Sequence, residues 1–238
     1  MSILCSIVIP TYNEKANIII LIDRLVTIMN GKDFEIIVAD DDSPDGTWRA
    51  VEEYSKKDIR VHCVRRMRNK GLSPSIVAGF DVAKGDLLCV MDGDLQHDES
   101  FVLKMIELAK SCDLVVGSRY KDGGGIEGGW PLHRRLFSST ATLMAKVLLG
   151  VNVSDPMSGF FVVRASAYRK IRPYLNPRGF KILLEILYLL QIHPDKSRFE
   201  ETGIFFRKRT AGHSKLGLKV IFNYIISLWQ LRKIKIPE

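Results

Sequence analysis

Residues 86–100 read DLLCVMDGDLQHDES, an apolar run followed at once by four acids: Asp92, Asp94, Asp98 and Glu99. A buried strand that ends in carboxylates is either the mouth of a site or the start of a helix, and the spacing separates the two. Asp98 fits a helix N-cap and Glu99 a first helical turn, where carboxylates complement unpaired amides. That accounts for Asp98 and Glu99 and leaves Asp92 and Asp94, two residues apart, free to turn toward one point with the carbonyl oxygen of Gln96. Crowded carboxylates raise each other's pKa unless a cation sits between them. Three hard oxygens suit Mg²⁺ or Mn²⁺, so Asp92, Asp94 and Gln96 are the candidate metal ligands.

Outward from this turn the chain alternates two periods. The short apolar runs ILCSIVI, FEIIVA, IRVHCV, DLLCVM and DLVVG are separated by helix-like stretches at 15–30, 46–57, 72–84 and 98–111. That βαβ rhythm predicts a single α/β domain with a mostly parallel sheet, and 238 residues are enough to bury its core. In such sheets ligands bind beyond the carboxyl ends of the strands. The unusual polar segments fall there: PTYNE at 10–14, DDDSPDGT at 40–47, DGDLQH at 92–97 and GSRY at 117–120. Beyond Tyr120 the pattern predicts helices at 132–149, 165–173, 179–191 and 216–231, with strands near 160–164 and 199–206. A catalytic domain over 1–215 and a C-terminal apolar helix with a basic tail over 216–238 are expected.

Net charge is +8 with a pI near 9.3, which points to an anionic partner. The basic residues are not interleaved with exposed aromatics, and acids cluster at the sheet edge, which argues against nucleic acid. Four well-separated cysteines form no CxxC or metal-finger spacing and read as reduced thiols of a cytosolic protein. The first residues carry no secretory pattern, and no run reaches the roughly 18 apolar residues of a membrane span. The triplet Asp40, Asp41, Asp42 has two readings, a ligand-binding edge or a turn in which Ser43, Pro44, Asp45 and Gly46 precede a helix. GGGIEG at 123–128 matches a dinucleotide fingerprint by letter but not by context, and better suits a loop closing over substrate or an inert surface loop. The five histidines show no metal-site spacing, and His97 is not counted as a ligand.

The segments IPTYNE, DDDSPDGT, DGDLQH, GSRY and SGFF, in this order, resemble the family 2 glycosyltransferases of the GT-A fold. SPDGT, DLQH, DPMSGFF, GFKILLEI and RTAGHSKLG bring the chain closer to the dolichyl-phosphate mannose synthases and related polyprenyl-phosphate hexose synthases. The resemblance implies that Pro10, Tyr12, Glu14, Asp40 and Asp41 hold the nucleoside, and that Asp92, Asp94 and Gln96 hold the metal on the donor diphosphate. Asp42 stands where relatives often carry Gly. Arg119, Arg134, Arg135, Arg209 and Lys215 fall in motif segments and are candidate phosphate contacts, against the alternative of a solvated basic surface. Ser138 joins them as a candidate substrate contact, and Asp94, Arg119 and Arg209 are the candidate catalytic residues.

The implied reaction moves a hexose, mannose from GDP-mannose, to a polyprenyl phosphate, with inversion. The alternatives are UDP-glucose as donor, or nucleotide-sugar binding without transfer. A phosphate acceptor is largely ionised at neutral pH and needs no general base. GFKILLEI accordingly offers Lys181 and a single Glu185, read as an anion contact and its orienting partner. In KVIFNYIISLWQLRK, residues 219–233, Asn223, Ser227 and Gln230 form one narrow polar stripe on a helix. That helix reads equally as a core helix or as an interfacial one. The resemblance favours the interface, with a membrane surface or small membrane subunit as partner and a peripheral place at the cytoplasmic face.

Overall fold

The computed structural model describes residues 4–129, 132–177, 181–208 and 218–236, with backbone alone for 132–137 and 218–223. The first half is a run of βα units: β1 (Cys5–Thr11), α1 (Lys15–Ile28), β2 (Phe34–Asp40), α2 (Thr47–Ser55), β3 (Val61–Arg65), α3 (Leu72–Val82), β4 (Leu87–Val90), α4 (Phe101–Leu108) and β5 (Leu114–Ser118). Every residue of β1, β2, β4 and β5 is buried, as strands covered by helices on both faces must be. The second half adds β6 (Gly125–Ile126), α5 (Leu132–Leu149), β7 (Phe161–Arg164), α6 (Ala165–Ile171), a 3₁₀ turn (Arg172–Tyr174), α7 (Ile182–Ile192), β8 (Phe199–Gly203), β9 (Phe205–Phe206) and α8 (Leu218–Arg232).

Seven strands form one sheet in the order β3-β2-β1-β4-β7-β5-β8, and β6 pairs with β9 in a small ribbon. β7 is antiparallel to both β4 and β5, and every other pairing is parallel. The strand rhythm did not foretell β7's direction. After the excursion through α5 the chain re-enters at the edge where β4 and β5 end, so it can only run back between them. Its first residue, Phe161, therefore pairs with Val90 beside the acidic turn. β1 sits at the switch point, with β2 on one side and β4 on the other, which makes the crevice between β1 and β4 the candidate ligand site.

The core divides across the sheet. One side gathers Ile7, Ile9, Ile18, Leu21, Ile22, Val102 and Phe160, and the other gathers Val8, Phe80, Phe161, Leu184 and Leu187. α8 belongs to the second cluster through Tyr224, Leu228 and Leu231, and the Tyr224 hydroxyl donates to the Ala141 carbonyl of α5 at 2.6 Å. Its opposite side leaves Ile225, Ile226 and Trp229 exposed. The core reading of α8 thus holds for one side of the helix, and the other side is exposed.

α3 lies so close to β1 that a Cβ on Gly79 would come within 2.4 Å of Val8 Cγ1. Overpacking of this kind costs about 1–3 kcal/mol. Gly79→Ala is therefore expected to lower stability by about 2 kcal/mol, read as a lower urea midpoint at unchanged m-value, and an unchanged midpoint would contradict the packing.

Candidate active site

The loops after β1 and β2 are tied to each other before any ligand arrives. Three successive amides, of Asn13, Glu14 and Lys15, donate to Ser43 Oγ at 3.0 Å, Thr47 Oγ1 at 3.0 Å and Asp45 Oδ2 at 3.1 Å. Asp40 is fully buried beneath this seam and accepts Thr11 Oγ1 at 2.8 Å, Ser43 Oγ at 2.6 Å and the Ser43 amide at 2.8 Å. In this structure it shapes the loop from inside. Asp41 takes the Gly71 amide at 2.5 Å, Ser75 Oγ at 2.8 Å and the Arg66 guanidinium. Asp42 adopts a left-handed φ of 54°, a conformation that glycine enters most readily and Asp tolerates. The Arg65 guanidinium, with Lys70 behind it, holds its carboxyl below the usual range. Of the other donor-side candidates, Pro10 is buried in β1, Glu14 accepts Asn17 Nδ2 at 2.8 Å, and the Tyr12 ring is exposed.

The turn after β4 is sharper. Leu95 sits at φ 62°, rare for a bulky residue, and the Gln96 amide closes on Asp94 Oδ1 at 3.1 Å. Asp92 accepts His97 Nε2 at 3.2 Å, and His97 is enclosed between the Phe160 and Phe206 rings, 5.3 and 5.1 Å away between centroids. The other ring nitrogen of His97 is buried with no protein partner, so the tautomer protonated at Nε2 satisfies more of the ring. Gly159 packs against the Asp92 carboxylate, where a Cβ would lie 2.6 Å from Oδ2. Gln96 Nε2 donates to the Arg207 carbonyl at 3.1 Å, which leaves the amide oxygen as the end that can meet a cation. No third His, Cys, Asp or Glu joins Asp92 and Asp94 into a metal-binding group among the described residues. Two carboxylates and one amide oxygen in a single tight turn would suit Mg²⁺ or Mn²⁺.

Arg119 is not solvated. It makes a two-pronged pair with Asp155, Nε to Oδ2 and Nη2 to Oδ1 both at 2.7 Å, with the Arg119 amide on Oδ2 at 3.2 Å. Burial works against its charge, but Asp155 outweighs it and the pKa rises. The neighbouring Tyr120 hydroxyl meets Ser138 Oγ of α5 at 2.8 Å. Arg134 and Arg135 lie in the first turn of α5, with side chains outside the described residues, and Arg209 and Lys215 lie wholly outside them.

Lys181 is buried and donates to Ser227 Oγ of α8 at 2.7 Å, with its ammonium 4.3 Å from the centre of the Tyr224 ring. Burial pulls its pKa down to about 8. Glu185 accepts the Asn176 backbone amide, so the group it holds is main chain, not the guanidinium or ammonium expected of it. Burial pushes its pKa up. Two cavities meet at Lys181. One, of about 160 Å³, reaches Asp92 and Ser158, and the other, of about 320 Å³, lies under α8 against Glu185, Ser227 and Gln230. Part of the polar stripe read from the sequence of α8 thus faces inward.

Sequence reasoning missed Asp155, Arg207 and the supporting role of His97. Asp155 stood in a quoted motif, but nothing local marks it as the partner of Arg119, 36 positions away. Breaking a buried pair by removing one partner costs about 3–5 kcal/mol because it strands the other charge. Arg119→Met and Asp155→Asn are each expected to destabilise by about that amount, and the double variant by less than the sum. Chemical denaturation checks this, and additivity would mean that the two groups are not coupled.

The chain as a whole is similar to known proteins. A model described as glycosyl transferase family 2 matches residues 6–172. A dolichol-phosphate mannosyltransferase of Pyrococcus furiosus is 42% identical over 96% of this chain and 63% of its own length. One from Saccharomyces cerevisiae is 39% identical over 97% of this chain and 88% of its own length. The chain thus spans less than two thirds of the archaeal relative and most of the yeast one. A crystal structure of glucosyl-3-phosphoglycerate synthase from Mycobacterium tuberculosis, in complex with Mn²⁺, uridine diphosphate and phosphoglyceric acid, superposes with a TM-score of 0.73. It is 18% identical and covers 99% of this chain and 80% of its own, a likeness of fold that bears out the GT-A expectation.

Proposed function

This chain belongs to glycosyl transferase family 2, and we propose that it transfers mannose from GDP-mannose to a polyprenyl phosphate of the dolichyl type, inverting the anomeric centre. The observation that carries the reading is the Asp92–Gln96 turn at the β1/β4 switch point, joined through the wall of one cavity to the cation of Lys181. The names of the two relatives, matched along nearly the whole chain, support the sugar and the acceptor.

In this reading Tyr12, Glu14 and Asp41 line the nucleoside side, over a loop that Asp40 braces. Asp92, Asp94 and Gln96 hold Mg²⁺ or Mn²⁺, whose chemistry when bound is to neutralise charge on the departing diphosphate. Arg119 and Arg209 add positive charge around the phosphates, Arg119 from its buried pair with Asp155. Arg134, Arg135, Ser138 and Lys215 complete the phosphate contacts, and Lys181 draws the acceptor anion toward Asp92. An ionised acceptor oxygen attacks directly, so the chain has to align two anions and hold water out, and a proton acceptor is not required. Glu185 is consistent with this: its carboxyl is enclosed, engaged by Asn176 and shifted toward the neutral form.

The acceptor's hydrocarbon stays in a bilayer, and the apolar side of α8 with Leu143 and Val147 of α5 is the surface that would meet it. Among the described residues no helix is long and apolar enough to cross a membrane, and in this reading the described part meets the bilayer at the cytoplasmic face, peripherally or through a small membrane subunit. Lys233 lies against the Trp229 ring at 3.2 Å, beside the outward face.

Transfer of radiolabel from a panel of sugar nucleotides into an organic-extractable lipid tests the reaction. Label is expected from GDP-mannose, lost with chelator and lost in Asp94→Ala at unchanged folding. Full activity of that variant in Mn²⁺ would remove the metal assignment, and preferential use of UDP-glucose would remove the donor. For the membrane contact, Trp229→Ala combined with Ile225→Ser is expected to reduce flotation with acidic liposomes at least several-fold, each buried apolar side chain contributing about 1.5–3 kcal/mol. Equal flotation would assign the contact elsewhere.

A further inference from the structure

Arg207 joins two segments that lie far apart in sequence, the acidic turn and the end of β9. Its Nη1 donates to Glu99 Oε2 at 2.7 Å and its Nη2 lies 3.0 Å from Asp98 Oδ1. Glu99 is buried, and its other oxygen takes Arg24 Nη1 at 3.2 Å. The backbone is engaged as well: the Arg207 amide donates to the Gln96 carbonyl at 2.7 Å, and Gln96 Nε2 donates to the Arg207 carbonyl at 3.1 Å. Phe206 forms an isolated antiparallel bridge with His97, and the Lys208 amide donates to Glu127 Oε2 at 2.8 Å. With Glu99 shielded from solvent, its bond to Arg207 is screened less than a surface ion pair.

A side-chain amide has one donor end and one acceptor end. With Nε2 committed to the Arg207 carbonyl, reversing the Gln96 amide would set two carbonyl oxygens against each other, so its oxygen remains the end that can meet a cation. We propose that Arg207 is a positioning residue for the transfer reaction: it fixes the Gln96 amide with its oxygen available to the metal, and ties the acidic turn to the end of β9. This rests on the reading of Asp92, Asp94 and Gln96 as metal ligands. The two parts of the clamp act together, since the guanidinium on Asp98 and Glu99 holds in place the carbonyl that orients Gln96.

The test is Mn²⁺ affinity of the full chain with GDP bound, measured without turnover by the electron paramagnetic resonance signal of free Mn²⁺, beside KM and kcat for the donor. Arg207→Met is expected to weaken Mn²⁺ about tenfold, the scale seen when a group that orients a metal ligand is removed, and to lower kcat more than it changes KM. Arg207→Lys should recover part of the affinity, and Asp98→Asn should show a smaller loss. A merely structural role would reduce the folded fraction and leave the Mn²⁺ affinity of the remainder unchanged. If Arg207→Met fails to fold by thermal melting, Arg207→Lys and Asp98→Asn carry the test. Wild-type affinity in folded Arg207→Met, or in both milder variants, overturns the clamp alone. A wild-type chain that binds no Mn²⁺ with GDP overturns the ligand assignment and the clamp with it.

Discussion

Five carboxylates stand at the carboxyl ends of β2 and β4, on either side of β1, and holding them there is the constraint that the surrounding structure answers. Neighbouring like charges disfavour ionisation unless donors or cations compensate them. Asp40, Asp41 and Asp42 are each compensated from within the chain, by Thr11 and Ser43, by Arg66 with Ser75 and the Gly71 amide, and by Arg65 with Lys70. Asp92 accepts the His97 ring and feels the charge of Arg119, and Asp94 accepts the Gln96 amide within its own turn.

Holding the acids in place also constrains the backbone. Asn13, Asp42 and Leu95, in the turns just beyond β1, β2 and β4, have φ between 54° and 62°. A side chain in this region costs about 1–2 kcal/mol. The turns persist because they are bonded across to one another: 13–15 to 43–47, and 96–99 to 206–207. Left-handed backbone at three neighbouring strand ends thus lines the candidate site.

The sequence carried the element order and the site-bearing edge well, because buried parallel strands and their connecting helices leave strong periodic marks. The direction of β7 left none. Phe161–Arg164 is apolar on both faces whichever way it runs, and only its entry point decides. The same limit applies within the site. Asp92, Asp94 and Gln96 are legible because their spacing is local, whereas the pairing of Arg119 with Asp155 and of Arg207 with Glu99 depends on contacts made through the fold. For Glu185 the residue type was legible but its partner, a backbone amide, was not. Of the polar stripe read on α8, Ser227 turns toward Lys181, an orientation that came only from packing.

The reversed strand β7 also sets an order of events during synthesis. β1 through β4 can pair as they emerge, each with a strand already made, since β1 is the first and lies between β2 and β4. β5 cannot join them directly, because its place in the sheet is beside β7, and β7 separates it from β4. Until Phe161–Arg164 leaves the ribosome, the edge of β4 stays open and β5 has no neighbour, a state with an unpaired apolar strand exposed to other chains. The half of the protein that holds the acidic turn therefore waits for the half that contains Asp155 and Arg207, and a nascent chain in between is the species most in need of a chaperone.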